Sequence, residues 1–362
     1  DEFVMTWGIV ESEAKKSDAD IANPKKAAKI NTWMERGRKY LLVYTFDAEN
    51  IYPGTMESQL PLIMKGGAKS TNTVGDTTIQ KFDRVDFYCV DGKVVKYIRT
   101  GRAKDIFFVN NHLAALDVAT EAYLTAKEKD IDGKRSKAIG EQLKVISDYY
   151  LREASFPYSA KDYGLAADYY TKAGKIVKTG YTEDTDENKI VTLKDCGNIN
   201  KFISRYDQAI EFYESVISMA KTPTREMYGD IFYCQLMKKD TTSAINTLQK
   251  VLSDFPSDEG SVTYLNQLID LYIQTKQWDN ATTYLQKAIE AEPNNTAYLF
   301  NLGYLNATKG NEEAAIDYYK KAIEINPKDE NSNLNLGVLY ENKGRDILVE
   351  ADKNFGKKNY NT

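Results

Sequence analysis

Apolar residues along most of this chain recur at intervals of three and four, with polar residues between them, as on one face of an α-helix. The stretch AYLFNLGYLNATKGNEEAAIDYYKKAIEINP, residues 297–327, shows the pattern well. Leu299, Leu302, Leu305 and Ala307 form one set, and Ala315, Ile316, Tyr319, Ala322 and Ile323 form a second. Between them Thr308-Lys309-Gly310-Asn311 can stop one helix and start the next. The stretch therefore predicts an αα-hairpin of two short amphipathic helices, ended by Pro327, which cannot continue a helix interior. Gly303 and Ala315 are expected to face each other where the helices cross, because small residues there let two backbones approach without leaving a void.

The unit recurs, with Pro223, Pro256, Pro293 and Pro327 at the seams. Leu265, Leu268 and Tyr272 precede Ala281, Leu285 and Ala288; Tyr228 and Ile231 precede Ala244, Leu248 and Val251; Leu193, Cys196 and Gly197 precede Ala209, Tyr213 and Val216. Asn333-x2-Leu336-Gly337-x2-Tyr340 follows Pro327, and Trp33-x2-Arg36-Gly37-x2-Tyr40 stands far upstream. The series resembles the tetratricopeptide repeat (TPR), whose pattern is W-x2-L-G-x2-Y, then A-x3-F, then P, at a period of about 34 residues. The resemblance runs over residues 24–345 and is clean from 190 onward. It implies an all-α solenoid of αα-hairpins wound into a right-handed superhelix.

Before residue 190 the pattern is irregular. Leu143, Ile146 and Tyr150, then Ala166, Tyr170 and Ala173, read as one repeat over 139–177 with a lengthened turn at REASFPYSAKDY. In the first repeat, helix A is Trp33–Tyr40, but the matching Ala119, Tyr123 and Ala126 come far later. An insertion is therefore expected at 46–110, after an N-terminal segment and helix A at 1–45 and before the repeats of 111–345. Within it, residues 81–100 predict a β-hairpin: β-rich runs flank Asp91-Gly92, and Val85, Phe87 and Cys89 alternate with Asp86 and Tyr88. An isolated hairpin is marginal in water, so a third strand at Ile106–Val109 or packing on helices is expected. The preceding MKGGAKSTNTVGDTT reads as a mobile loop. The insertion is either decoration or a docking element on a rigid scaffold.

Composition narrows the function. The 362 residues are 42% hydrophobic and 28% charged, enough for a sizeable core. A net charge of −5 argues against nucleic acid as the main partner, since phosphate binding wants a basic surface. No apolar run approaches the length of a membrane span. Cys89, Cys196 and Cys234 form no C-x-x-C pair, and the latter two read as core thiols. The sequence begins DEFVMTW without an initiator Met, as removal of a signal peptide or trimming would each produce. Its character resembles exported TPR proteins of Gram-negative bacteria, which implies a periplasmic or exported location, with a cytoplasmic one as the alternative.

Signals for chemistry are weak. GGAKST at 66–71 lacks the Gly directly before Lys that a phosphate-cradling loop needs. His112 is the one histidine, beside Asn110 and Asn111, and is read as a capping or surface residue. DTDENK at 184–189 has Lys189 where a calcium loop requires Gly, so its acids are expected to favour the start of a following helix. No catalytic residue, cofactor or metal is therefore expected.

The TPR resemblance implies a concave face lined by the first helix of each repeat. Counting from the anchors gives Lys194, Asn198, Lys201 and Phe202, then Tyr233, Leu236 and Met237, then Asn266, Asp270 and Gln274, and finally Phe300 and Tyr304. This mixed aromatic and polar lining suits an extended peptide. Lys194 and Asn198 match two members of the family's carboxylate clamp, but Asp230, Thr263 and Gln267 depart from the rest, so carboxylate capture is not implied. The expected function is a non-catalytic scaffold or adaptor for a protein or peptide. The alternatives are recognition of a cell-envelope glycan and an enzyme seated at the insertion.

At the end of the chain, Gly344 is expected to break the helix after Tyr340, and RDILVEADKNF to begin a second one. Val349 stands where the small residue belongs, so 346–362 reads as an incomplete terminal repeat. A fragment of a longer protein is expected, with self-association through the uncovered apolar face.

Overall fold

The structure, a computed structural model, describes residues 7–46, 51–99, 113–256 and 261–359, with side chains as far as Lys353. The described residues form sixteen α-helices and one small sheet, in two compact units, Asp1–Lys238 and Lys239–Thr362. The fold is an all-α assembly of αα-hairpins with an antiparallel sheet near its start.

The first unit opens with α1 (Trp7–Ala22), the short α2 (Pro24–Ala27) and α3 (Ile30–Thr45). After a turn comes α4 (Leu60–Ile63), then strands β1 (Ser70–Val74), β2 (Thr77–Lys81), β3 (Val85–Val90) and β4 (Lys93–Arg99). Helices α5 (Ala114–Lys129), α6 (Ser136–Ser159), α7 (Tyr163–Lys178), α8 (Asp186–Phe202), α9 (Tyr206–Met219) and α10 (Arg225–Met237) follow. α3 packs on α5, and a Cβ built on Gly37 would lie 2.5 Å from the Tyr123 ring, so only glycine fits that crossing. α1, not anticipated from its mostly polar sequence, lays Val10 and Ala14 into the same core.

The strands form an antiparallel meander in the order β1-β2-β3-β4. Asp91 (φ 49) and Gly92 (φ 70) make the β3–β4 turn with both residues left-handed, as a tight two-residue hairpin requires. The expected mobile loop is instead β1 and the start of β2. Its Thr- and Ser-rich residues have no apolar alternation to announce a strand, and β1 is exposed along its whole length. The strand expected at Ile106–Val109, and His112, lie outside the described residues. Val85, Phe87, Cys89, Val94 and Tyr97 pack with Ile51, Leu60 and Phe82 into a separate small core, closed by Phe156 of α6.

The lengthened turn expected at REASFPYSAKDY is also corrected. α6 runs on through it to Ser159, with Pro157 in its last turns, where the missing N–H forfeits only one helical bond. The extension brings Arg152, Glu153 and Phe156 to the sheet. Glu153 accepts hydrogen bonds from Tyr44, Tyr97 and, at 3.2 Å, Arg152; Arg99 donates to the Tyr44 carbonyl at 2.6 Å. Burial first, and the Glu153 carboxylate second, push the Tyr44 and Tyr97 phenols well above their usual range. This buried joint ties helix to sheet.

The second unit comprises α11 (Thr241–Asp254), α12 (Ser261–Gln274), α13 (Trp278–Ala291), α14 (Thr296–Thr308), α15 (Glu312–Ile325) and α16 (Glu330–Asn359). Ala281, Leu285 and Ala288 of α13, and Ala315, Tyr319 and Ala322 of α15, are buried as their spacing predicts. The partner of Gly303 differs from the expectation: a Cβ there would meet Tyr319 at 2.5 Å, not Ala315. The ring one turn further along is long enough to fill the gap at the crossing.

Gly344 does not break the last helix. α16 continues for 30 residues, because one glycine weakens a helix by only about 1 kcal/mol and no proline or cap stops it. Its first turns pack on α15, burying Ser332 and half-burying Leu336 and Leu339. From Glu341 to Lys353 every residue is exposed.

Candidate functional site

Helices present what their turns allow. In the first unit, a left-handed residue reverses the chain after α6 (Lys161, φ 62) and after α8 (Ser204, φ 63). The start of each second helix thus returns beside the end of the first. Phe202 ends α8, and its side chain is 67% exposed. Its ring stands edge-on to Tyr163 at 4.9 Å, and Tyr163 stands edge-on to Tyr158 at 5.4 Å. Tyr158 and Tyr163 were not among the expected residues. Their only signal was their place on either side of a turn.

Next to Phe202, Lys201 donates to Asp230 of α10 at 2.6 Å, and its ammonium lies 5.7 and 5.8 Å from the Tyr213 and Tyr233 rings. Tyr233, Leu236 and Met237 are exposed along α10. Lys194 is exposed on α8, while Asn198 is half-buried and accepts from the Tyr213 hydroxyl at 2.8 Å. The structure therefore brings Lys201 and Tyr233 together, sets Phe202 against Tyr163 instead, and gives Asn198 a helix-joining bond. Asp230, set aside as a misfit to the carboxylate clamp, is the anion that holds Lys201.

The remaining candidates belong to the second unit. Asn266 accepts from the Tyr298 hydroxyl at 2.8 Å, and Phe300 tilts against Tyr319 at 5.8 Å. Asp270, Gln274 and Tyr304 are exposed. Partial burial raises the Asp270 carboxyl above its ordinary value.

A cleft of about 440 Å³ between α5, α6 and α7 contains Asp117, whose carboxylate accepts from Tyr150 at 2.5 Å and Lys172 at 2.7 Å. The three cysteines are buried, and burial pushes the thiols of Cys89 and Cys234 up to about 11 and that of Cys196 up to about 12. Among the described residues no group of three or more His, Cys, Asp or Glu could hold a metal ion, and no helix is long and apolar enough to cross a membrane. At 184–189, Thr185 caps α8 through the Asn188 N–H, and Asp186 and Glu187 occupy its first turn.

Residues 233–258, 266–330 and 318–350 each match a family model described as tetratricopeptide repeat. No curated protein matches the chain. Among solved structures, MamA AMB-1 is 25% identical over 44% of this chain and 85% of that one, with a TM-score of 0.35. Another MamA crystal structure is 22% identical over 50% and 92%, with a TM-score of 0.34. YrrB, described as a TPR protein with an unusual peptide-binding site, is 17% identical over 59% and 96%, with a TM-score of 0.33. These superpositions are too loose to transfer any feature.

Proposed function

From the premise that this chain is a tetratricopeptide-repeat protein, we propose that it is a non-catalytic scaffold holding an extended segment of another protein. One observation carries the reading: Tyr233 stands exposed beside the Lys201–Asp230 pair, and Leu236 and Met237 are exposed further along the same helix and Phe202 at the end of the preceding first helix. Large apolar side chains left in water on adjacent helices, beside a fixed charge pair, offer both contact area and orientation to a peptide. The glycan reading gains less support. Tyr158, Tyr163 and Phe202 meet at 76° and 77°, so neither neighbouring pair of rings presents a common plane to a sugar. An adaptor role and an exported location belong to the same proposal, the latter resting on the resemblance to exported repeat proteins alone.

Selection from a displayed library of random linear peptides, followed by calorimetric titration of the selected peptide, tests the reading. Phe202→Ala and Tyr233→Ala should each weaken binding by about tenfold. Peptides that bind both variants as tightly as the parent chain would overturn it.

A further inference from the structure

The two edges of the sheet are finished differently. β4 is covered by the chain that precedes α4: Gly54 donates to the Val94 carbonyl at 2.7 Å, Val94 to the Thr55 carbonyl at 2.8 Å and Glu57 to the Gly92 carbonyl at 2.8 Å. β1 forms the other edge, and among the described residues no strand pairs with its outer side. It is exposed along its whole length, and Val74 is 67% exposed. Open edges are ordinarily blunted by a charge, a proline or a bulge, because unpaired N–H and C=O groups are a template for another strand. Ser70-Thr71-Asn72-Thr73-Val74 carries neither charge nor proline, and its register with β2 runs without a shift.

The turn fixes which groups point outward. Gly75 (φ 64) begins a two-residue turn that closes on the pair Val74–Thr77. Such a turn closes on a hydrogen-bonded pair, and bonded and unbonded pairs then alternate along an antiparallel ladder. Ser70, Asn72 and Val74 therefore spend their backbone groups on β2, and Thr71 and Thr73 turn theirs outward. Before them, the Lys69 N–H is already given to the Lys81 carbonyl at 2.7 Å. The free edge thus consists of the N–H and C=O groups of Thr71 and Thr73, a pattern that an extended strand matches.

We propose that this strand is β1 of a second copy of the chain, running antiparallel about a two-fold axis at Asn72. In that register Thr71 of each copy bonds Thr73 of the other in both directions, so every free group at the edge is used. A slip of the register either way forfeits one of the two pairs, because Lys69 and the turn at Gly75 lie beyond. Thr71 opposite Thr73 is a favourable cross-strand pair of β-branched side chains, and Val74 gains cover from Ser70 of the other copy. No like charges are opposed, and Lys69 of each copy ends beside the turn that carries Asp76 of the other. The contact is self-complementary and closes as a dimer. It is small, and it therefore forms weakly and reversibly. The peptide-binding reading is not needed for this inference.

The test uses the full chain carrying Asn72→Cys. In the proposed register position 72 faces itself in an unbonded pair, with Cα atoms about 4.5 Å apart, within reach of a disulfide. Position 70, also exposed, stands roughly 13 Å along the seam from its own copy. Mild oxidation should therefore link Asn72→Cys at least about tenfold faster than Ser70→Cys. Cys89, Cys196 and Cys234 are buried and do not compete. Thr73→Pro, which removes an outward N–H and spares the ladder to β2, should bring the Asn72→Cys rate down to that of Ser70→Cys. Sedimentation equilibrium of the unaltered chain, from micromolar to millimolar concentration, should show a reversible dimer that Thr73→Pro weakens. Equal linking rates for the two cysteine variants would mean chance collision at an open edge, and would overturn the proposal whether or not the proline variant folds. A monomer at every concentration, or a dimer that Thr73→Pro leaves untouched, would overturn it equally.

Discussion

Tyr97 of β4 donates a hydrogen bond to the carboxylate of Glu153 in α6, and that same carboxylate holds Arg152, whose side chain is 2% exposed. Glu153→Gln would leave a buried guanidinium without its counter-charge, at a cost of roughly 3–5 kcal/mol. Tyr97→Phe removes one hydrogen bond and should cost about 1 kcal/mol. Urea unfolding of the two variants should separate them clearly. Equal losses would show that the carboxylate does not hold Arg152.

Gly303→Leu should destabilise the α14–α15 hairpin by roughly 1–3 kcal/mol, because even a Cβ meets the Tyr319 ring at 2.5 Å. Tyr319→Ala in the same background should recover part of the loss by making room. An unchanged midpoint for Gly303→Leu would mean that the ring moves aside freely.

Replacing residues 46–110 by a short turn should disturb α6, beyond the segment removed. Phe156 loses the sheet core, and its ring contact with Tyr97 at 5.0 Å disappears. Near-ultraviolet circular dichroism and hydrogen exchange along α6 should both report the damage. Protection of α6 equal to that in the full chain would show that the sheet is only draped over it.

The cysteines should be inert in the folded chain. At pH 8 thiols pushed up to about 11 and 12 are almost wholly protonated, and all three are shielded from solvent. A thiol-specific chromophore should therefore titrate none of the three under native conditions and all of them in denaturant. Rapid native labelling of even one would mean that its helix or strand opens readily.

The legible parts of this fold were those written in a short period. Gly303, Ala322 and Pro327 declare a hairpin because close crossings need small residues and helix ends need breakers. Gly37 and Tyr123 were legible for the same reason, since each keeps its place in the motif. β1 was not, because Thr71 and Thr73 sit on an exposed edge where no apolar alternation is required. The extension of α6 was masked by Pro157, and the straightness of α16 by Gly344, residues whose effect depends on what surrounds them. For the candidate surface, Phe202 and Tyr233 followed from repeat position. The role of Asp230 did not, because an ion pair between neighbouring helices leaves no local trace in either.

The contact between Gly37 and Tyr123 also bears on the order in which the chain folds. Most hairpins here close over a few residues, so their helices can meet early and locally. α3 and α5 must close a loop of roughly 70 residues instead of about 4, which adds about 2.5 kcal/mol of closure entropy. If the sheet forms first, it shortens that loop and returns much of the cost. The nucleus should therefore lie in the hairpins with short turns, and the pairing of α3 with α5 should come late, gated by the meander between them. In refolding kinetics, the signal of the Gly37–Tyr123 contact should lag behind that of the α8–α9 hairpin.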